Sequence, residues 1–135
     1  MKPPEQVKTE FFKQWLGKAV QDLAAAKILL REETSFLSTV GFHCQQAAEK
    51  YLKAFLTWHQ IEFPKTHDID EILDLVAKVD SKLAKSLRNA NILTDYAVEI
   101  RYPGDAPELT LEQAREAVKV AEKTRKAILR AIKKK

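Results

Sequence analysis

From Phe12 to Ile132, apolar side chains return every three or four residues, and nowhere does the chain keep up the alternation a strand needs. With only three glycines in 135 residues, that period leaves helices as the regular structure available. Phe12, Leu16, Ala19, Leu23, Ala26 and Leu30 predict a first helix from about Thr9 to Arg31. A second follows from about Phe36 to Gln60, and Pro64 closes it by disfavouring helix in the residue before it. Asp68 and Glu71 form a capping pair for a third helix, carried by Ile69, Ile72, Leu73 and Val76. Asp80-Ser81 restarts the chain into a fourth, through about Glu99, with Leu83, Leu87, Ala90 and Ala97. The run Tyr102-Pro103-Gly104-Asp105-Ala106-Pro107 breaks it. Thr110 and Gln113 then cap a last helix bearing Ala114, Ala117, Val118, Ala121, Ile128 and Ile132. The expectation is an all-α, five-helix up-and-down antiparallel bundle: one domain over 1–135, with its core in about 9–132.

A chain of this length buries enough surface to fold without a metal or disulfide. Its single cysteine, Cys44, permits no internal disulfide, and no apolar run approaches the roughly 20 residues of a membrane span. The expected location is the cytoplasm, with no membrane partner. The net charge of +4 is uneven, with nine Lys/Arg against two Glu from Arg115 to Lys135. The ordinary reading is a solvated helix face whose last cations complement the helix dipole. A nucleic-acid or phosphate contact is the lesser reading, since few aromatics interleave with these charges.

The stretch FHCQQAAEKYLKAFL, residues 42–56, does not fit a helix with one buried face. At about 100° per residue, Val40, Ala48, Tyr51 and Phe55 fall within about 40° of Cys44 and make the core seam. Cys44 on that seam reads as a small buried hydrophobe rather than a nucleophile. Gln46, Glu49, Lys50 and Lys53 fall on the opposite half, with Phe42 among them and with Gln45 and Leu56 on a shoulder. Burial on a second side would account for this, and a dimer or partner interface is the expectation. The polar side chains would fix register there or bind a ligand.

These residues, together with KTHDIDEILDL, LTDYAVEIRYP and EQAREAVKVAEK, resemble the HEPN domain in order and over nearly the whole chain. The resemblance implies a helical bundle that commonly dimerises, nucleotide binding, and pairing with a minimal nucleotidyltransferase. It also implies a test for catalysis. HEPN ribonucleases carry an Arg, four to six intervening residues and a His, brought together in pairs by dimerisation. Here the matching Arg is Arg101, and Ala106, Pro107 and Glu108 stand where the His would be. None of the six arginines has a His at that spacing. The group that would exchange protons near neutral pH is missing, so the expectation leans away from an enzyme.

His43, His59 and His67 lack the i, i+4 pairing of a metal site, and neither a Walker loop nor GxGxxG occurs, so no metal or cofactor is expected. His67 reads as a turn residue bonding near the start of the third helix. Asp95 and Arg101, six residues apart, read either as a pair tying down the Pro103 turn or as a ligand site with Tyr96 and Tyr102. A guanidinium beside aromatic rings suits a phosphate and a base. The candidate binding set is Arg101, Tyr102 and Asp95, with Gln46, Glu49 and Lys53 as a polar wall from the second helix. The functional expectation is a non-catalytic homodimeric domain binding a nucleotide, an RNA end or a nucleotidyltransferase. The alternative is a HEPN ribonuclease toxin of a toxin–antitoxin pair with a non-standard base, His43 or His67. A third reading is a bundle with no ligand at all.

Overall fold

A computed structural model describes residues 4–32, 36–97 and 108–133, and their regular structure is wholly helical. Helix α1 (Pro4–Arg31) starts earlier than the apolar period predicts. Pro4 opens it, where a missing N–H costs nothing and the fixed φ suits the first turn. Helix α2 (Leu37–Trp58) ends in a Schellman motif. Ile61 N–H donates to Leu56 O (2.9 Å) and Gln60 N–H to Thr57 O (3.0 Å), with Gln60 left-handed at φ 58°. Helix α3 (Ile69–Ala77) is capped by Asp68, whose carboxylate accepts from the Asp70 and Glu71 amides. Both arms of the Thr110–Gln113 capping box form at the start of α5 (Leu111–Lys133), at 2.9 and 3.0 Å.

The expected fourth helix is instead two segments, which makes six helices rather than five among the described residues. A one-and-a-half-turn α4 (Ser81–Ser86) gives way to a 3₁₀ helix, Arg88–Tyr96. The cause is the period of the apolar residues. Ala84, Leu87, Ala90 and Leu93 are all buried and lie three apart, which is the repeat of a 3₁₀ helix and not of an α-helix. An α-helix would rotate these side chains progressively off the core. Arg88 anchors the segment to α3, donating to the Asp70 carbonyl (3.0 Å) and carboxylate (3.2 Å) and to Asp74 (2.6 Å).

Chain direction follows from the pairings. The Phe12 and Trp58 rings meet at 5.0 Å, and Asp22 reaches both His43 and Lys50, so α1 and α2 run antiparallel. The α3–α4–3₁₀ leg leads back from beside the middle of α2 to its N-terminal end, where Tyr96 closes on Gly41. Leu109 N–H donates to Ser38 Oγ, which starts α5 beside the start of α2 and sends it parallel to α2. Helix α2 is thereby surrounded. Cys44, Tyr51, Leu52, Phe55 and Leu56 are all at most 1% exposed. The chain itself covers both the Cys44 seam and the Leu56 shoulder, so burial on two sides of α2 does not require a second copy.

Two glycines sit in opposite surroundings. A Cβ on Gly41 would lie 2.5 Å from Leu109 Cδ1 and 3.2 Å from Tyr96, whereas one on Gly17 would meet nothing within 4 Å. Gly17→Ala should stabilise the protein by about 0.5–1 kcal/mol, the usual helix-interior gain. Gly41→Ala should destabilise it by about 1–2 kcal/mol, because overpacking costs more than the helix gains. Urea denaturation of both variants measures this, and shifts of equal sign would mean that Leu109 and Tyr96 do not close on Gly41.

Cys44 is fully buried, and burial pushes its thiol up to about 12. The thiolate is the reactive form. Ellman's reagent should therefore label the native protein slowly and the guanidinium-unfolded chain at once, and rapid labelling of the native state would contradict the placement.

Candidate functional site

Gln45, Glu49 and Lys53 recur every fourth residue and form one stripe on α2, over which the chain lays the segment leading from Phe63 into α3. The Glu49 carboxylate is the hub. Its Oε2 accepts from Lys53 Nζ at 2.8 Å, and its Oε1 accepts from Gln45 Nε2 at 3.0 Å and from His67 Nδ1 at 2.7 Å. Lys53 also donates to Thr66 O (3.1 Å), and Gln45 also donates to His67 O (3.1 Å). Gln46 Nε2 completes the chain of bonds by donating to Gln45 Oε1 at 2.6 Å. The side chains of Glu49 and Lys53 are only 4% and 7% exposed. The rings of Trp15 and Phe63 flank the Lys53 ammonium at 5.6 and 5.5 Å.

Burial alone would push the Glu49 carboxyl up. The hydrogen bonds from Lys53, His67 and Gln45 outweigh it, and the net result lies below the usual carboxylate range. The group is thus held as an anion inside the protein, with every donor around it supplied by the protein. The His67 imidazole differs from the rest, for its side chain is 65% exposed. Because Nδ1 faces an acceptor, it carries the proton, and Nε2 is turned away from the carboxylate. A second, shallower group lies between α1 and α2, where Asp22 binds His43 Nδ1 (2.9 Å) and Lys50 Nζ (2.6 Å).

A family model, the HEPN domain, matches residues 12–132. The chain belongs to the HEPN family. No curated protein matches it. Its fold is similar to the crystal structure of TT1696 from Thermus thermophilus, with a TM-score of 0.69 and 26% identity over 88% of this chain and 96% of that one.

Of the six residues proposed from the sequence, the HEPN fold brings Gln46, Glu49 and Lys53 into one bonded group. Glu49 and Lys53 are not an open wall, however, because both are buried beneath Thr66 and His67. Asp95 is exposed at the end of the 3₁₀ helix. Arg101 and Tyr102 lie outside the described residues. His67 stands in the segment leading into α3, but among the described residues its hydrogen bonds go to Gln45 and Glu49 on α2 and not to α3, and that link is the part that sequence reasoning missed. The signal was present in the four-residue spacing of Gln45, Glu49 and Lys53. Nothing local ties it to a histidine 18 residues further on. Among the described residues, no three His, Cys, Asp or Glu gather where they could hold a metal ion.

Removing one member of a buried ion pair leaves the other charge uncompensated, at a cost of about 3–5 kcal/mol. Glu49→Leu and Lys53→Met should each destabilise by about that much, and the double variant should lose about 1–3 kcal/mol less than the sum. Since the folded-state carboxyl lies below its unfolded value, the stability it contributes is full above about pH 4.5 and disappears as the pH falls through the folded value. The acid limb of the stability curve should flatten in Glu49→Leu. Additive losses in the double variant, or an unchanged acid limb, would refute the coupling of Lys53 to a buried, ionised Glu49.

Proposed function

We propose that this HEPN domain is non-catalytic and acts as a binding module, taking a nucleotide, an RNA end or a minimal nucleotidyltransferase as a homodimer in the cytoplasm. One observation carries the reading. The amide, acid and amine at the centre of α2 are bonded to one another and to the Thr66–His67 backbone, so they hold the fold rather than face a substrate. The absence of a His after Arg101 points the same way. Binding by Arg101 and Tyr102 next to Asp95 is the part of the reading that rests on sequence. Self-association draws support from α1, whose outer face presents Gly17, Val20, Ala24 and Ile28 exposed along one side, with Val20 at 51% and Ile28 at 49%.

A specific observation favours a second reading, the ribonuclease with a non-standard base. An exposed imidazole whose Nδ1 is fixed by a buried carboxylate is the arrangement that orients a general base. In that case Nε2 of His67 would accept the proton of a ribose hydroxyl.

The two separate cleanly. On the binding reading, the purified protein leaves single- and double-stranded RNA intact over hours. Calorimetry with ATP, GTP and short RNA then gives a dissociation constant of roughly micromolar or weaker. Arg101→Ala should weaken that binding at least tenfold, whereas Arg31→Ala should not. RNA cleavage abolished by His67→Ala would replace this reading with the second, and absence of heat with every ligand would leave only the protein-partner branch.

A further inference from the structure

The cations of α5 fall on one side of the helix. Arg115, Lys119, Lys123, Lys126, Arg130 and Lys133 occupy a sector of about 80° along about 27 Å of helix axis. All six are exposed. Complementing the helix dipole needs only the last turn. The pairs Arg115–Lys119, Lys119–Lys123 and Lys126–Arg130 are like charges at i, i+4, which weakens a helix. Among the described residues none of the six cations is ion-paired: Glu122 at the edge of the sector is taken by Lys27 (2.9 Å) and Arg125 (2.9 Å), and Glu112 and Glu116, three residues before Arg115 and Lys119, form no ion pair with them. Six cations thus outnumber the three acids along this helix and stand exposed without ion pairs among the described residues.

It also borders a depression. Five of the six cations line a groove of about 670 Å³ between α5, Lys27 of α1 and Ser86 of α4, floored by Val118 and Ala127. None of its lining residues belongs to the Glu49 network. Successive cations stand about 4.5–6 Å apart along the axis, so the row, about 27 Å long, runs beside several phosphates of a duplex, which carries one per roughly 3.4 Å of each strand. The groove has no aromatic side chain on which a base could stack. A membrane would call for apolar side chains standing out beside the cations, and here Val118 and Ala127 lie on the floor.

We infer that the α5 groove binds the phosphate backbone of a nucleic-acid duplex, without reading its sequence. The inference deepens the nucleic-acid branch of the proposed function and assigns it a surface independent of Arg101. Backbone neutralisation releases counterions, so affinity falls linearly in log–log terms with salt.

Fluorescence anisotropy with labelled 20-base-pair RNA and DNA duplexes of two unrelated sequences, from 50 to 200 mM KCl, tests it. The expected result is binding of all duplexes within about threefold of one another, with a salt slope matching about four neutralised phosphates. The triple variant K119A/K126A/R130A should lose at least tenfold. The charge-matched triple K13A/K18A/K85A, at exposed positions outside the groove, should lose less than about threefold. Both variants put alanine on exposed helix positions, and circular dichroism verifies the fold. Equal losses in the two triples, absence of duplex binding at 50 mM salt, or binding only to vesicles of anionic lipid would each overturn the inference. Arg101→Ala distinguishes the two sites. If it abolishes nucleotide binding and spares the duplex, both readings hold. If nucleotides give no heat while duplex binding depends on the stripe, only the Arg101 site fails.

Discussion

The Glu49 carboxylate and the Lys53 ammonium are one helical turn apart, and the fold depends on their being buried together. Left in water, such a pair is worth little, and in the interior its desolvation cost can exceed its attraction. What makes it tenable here is that each charge has more than its partner. Lys53 also finds the Thr66 carbonyl, and Glu49 also finds Gln45 and His67. Thr66 and His67 lie in the segment between α2 and α3. The pair therefore fixes the approach to α3, and through Asp68 it fixes the cap of that helix. The position of α3 in turn sets that of the 3₁₀ helix, since Arg88 and Asn91 bond to Asp70 and Thr94 Oγ1 accepts from Ile69 N–H. The return leg is thus positioned by polar contacts as much as by its apolar face.

Much of this is legible in the residues, and what is not has a physical cause. Helix type and capping depend on local spacing, so the Thr110–Gln113 box and the Asp68 cap are readable. The 3₁₀ segment is harder to read. Leu83 and Ala97 suit an α-helical seam, whereas the buried series is Ala84, Leu87, Ala90 and Leu93. A period of three and a period of 3.6 diverge only after several residues, and both accept Leu87 and Ala90. The unusual polarity of residues 42–56 is visible, yet its explanation is not. A helical wheel shows that a second face is occupied, but it cannot say whether the occupant is the same chain. Gln45, Glu49, Lys53 and Leu56 are covered by the same chain.

The candidate site is half legible for the same reason. Glu49 and Lys53 stand out in the sequence as polar residues with a task, and they have one, though it is structural. The wheel gives their side of the helix but not their depth. His67 reads as a turn residue from its setting between Thr66 and Asp68. Its contact with Glu49 spans 18 residues of chain, beyond what spacing can show, and it turns an ordinary turn histidine into an oriented, exposed imidazole.

Charge is used in two opposite ways in this bundle. On α2 the ionised groups are enclosed and satisfied within the protein, where mobile salt screens them little. On α5 the stripe of cations is exposed, alike in sign and without ion pairs among the described residues, where salt screens it strongly. Stability should therefore respond to acid through Glu49 and rise modestly with ionic strength as salt relieves the repulsion along α5, while the α5 surface should lose its hold on phosphate in salt without loss of fold. A partner held on α5 by phosphate contacts could be released by salt from an intact domain. Because α5 also packs Ala117, Ala121 and Ile128 into the core beside α2, its inner face is fixed while its outer face remains free to carry an unfavourable charge pattern. That division lets one helix serve both the core and a polyanion.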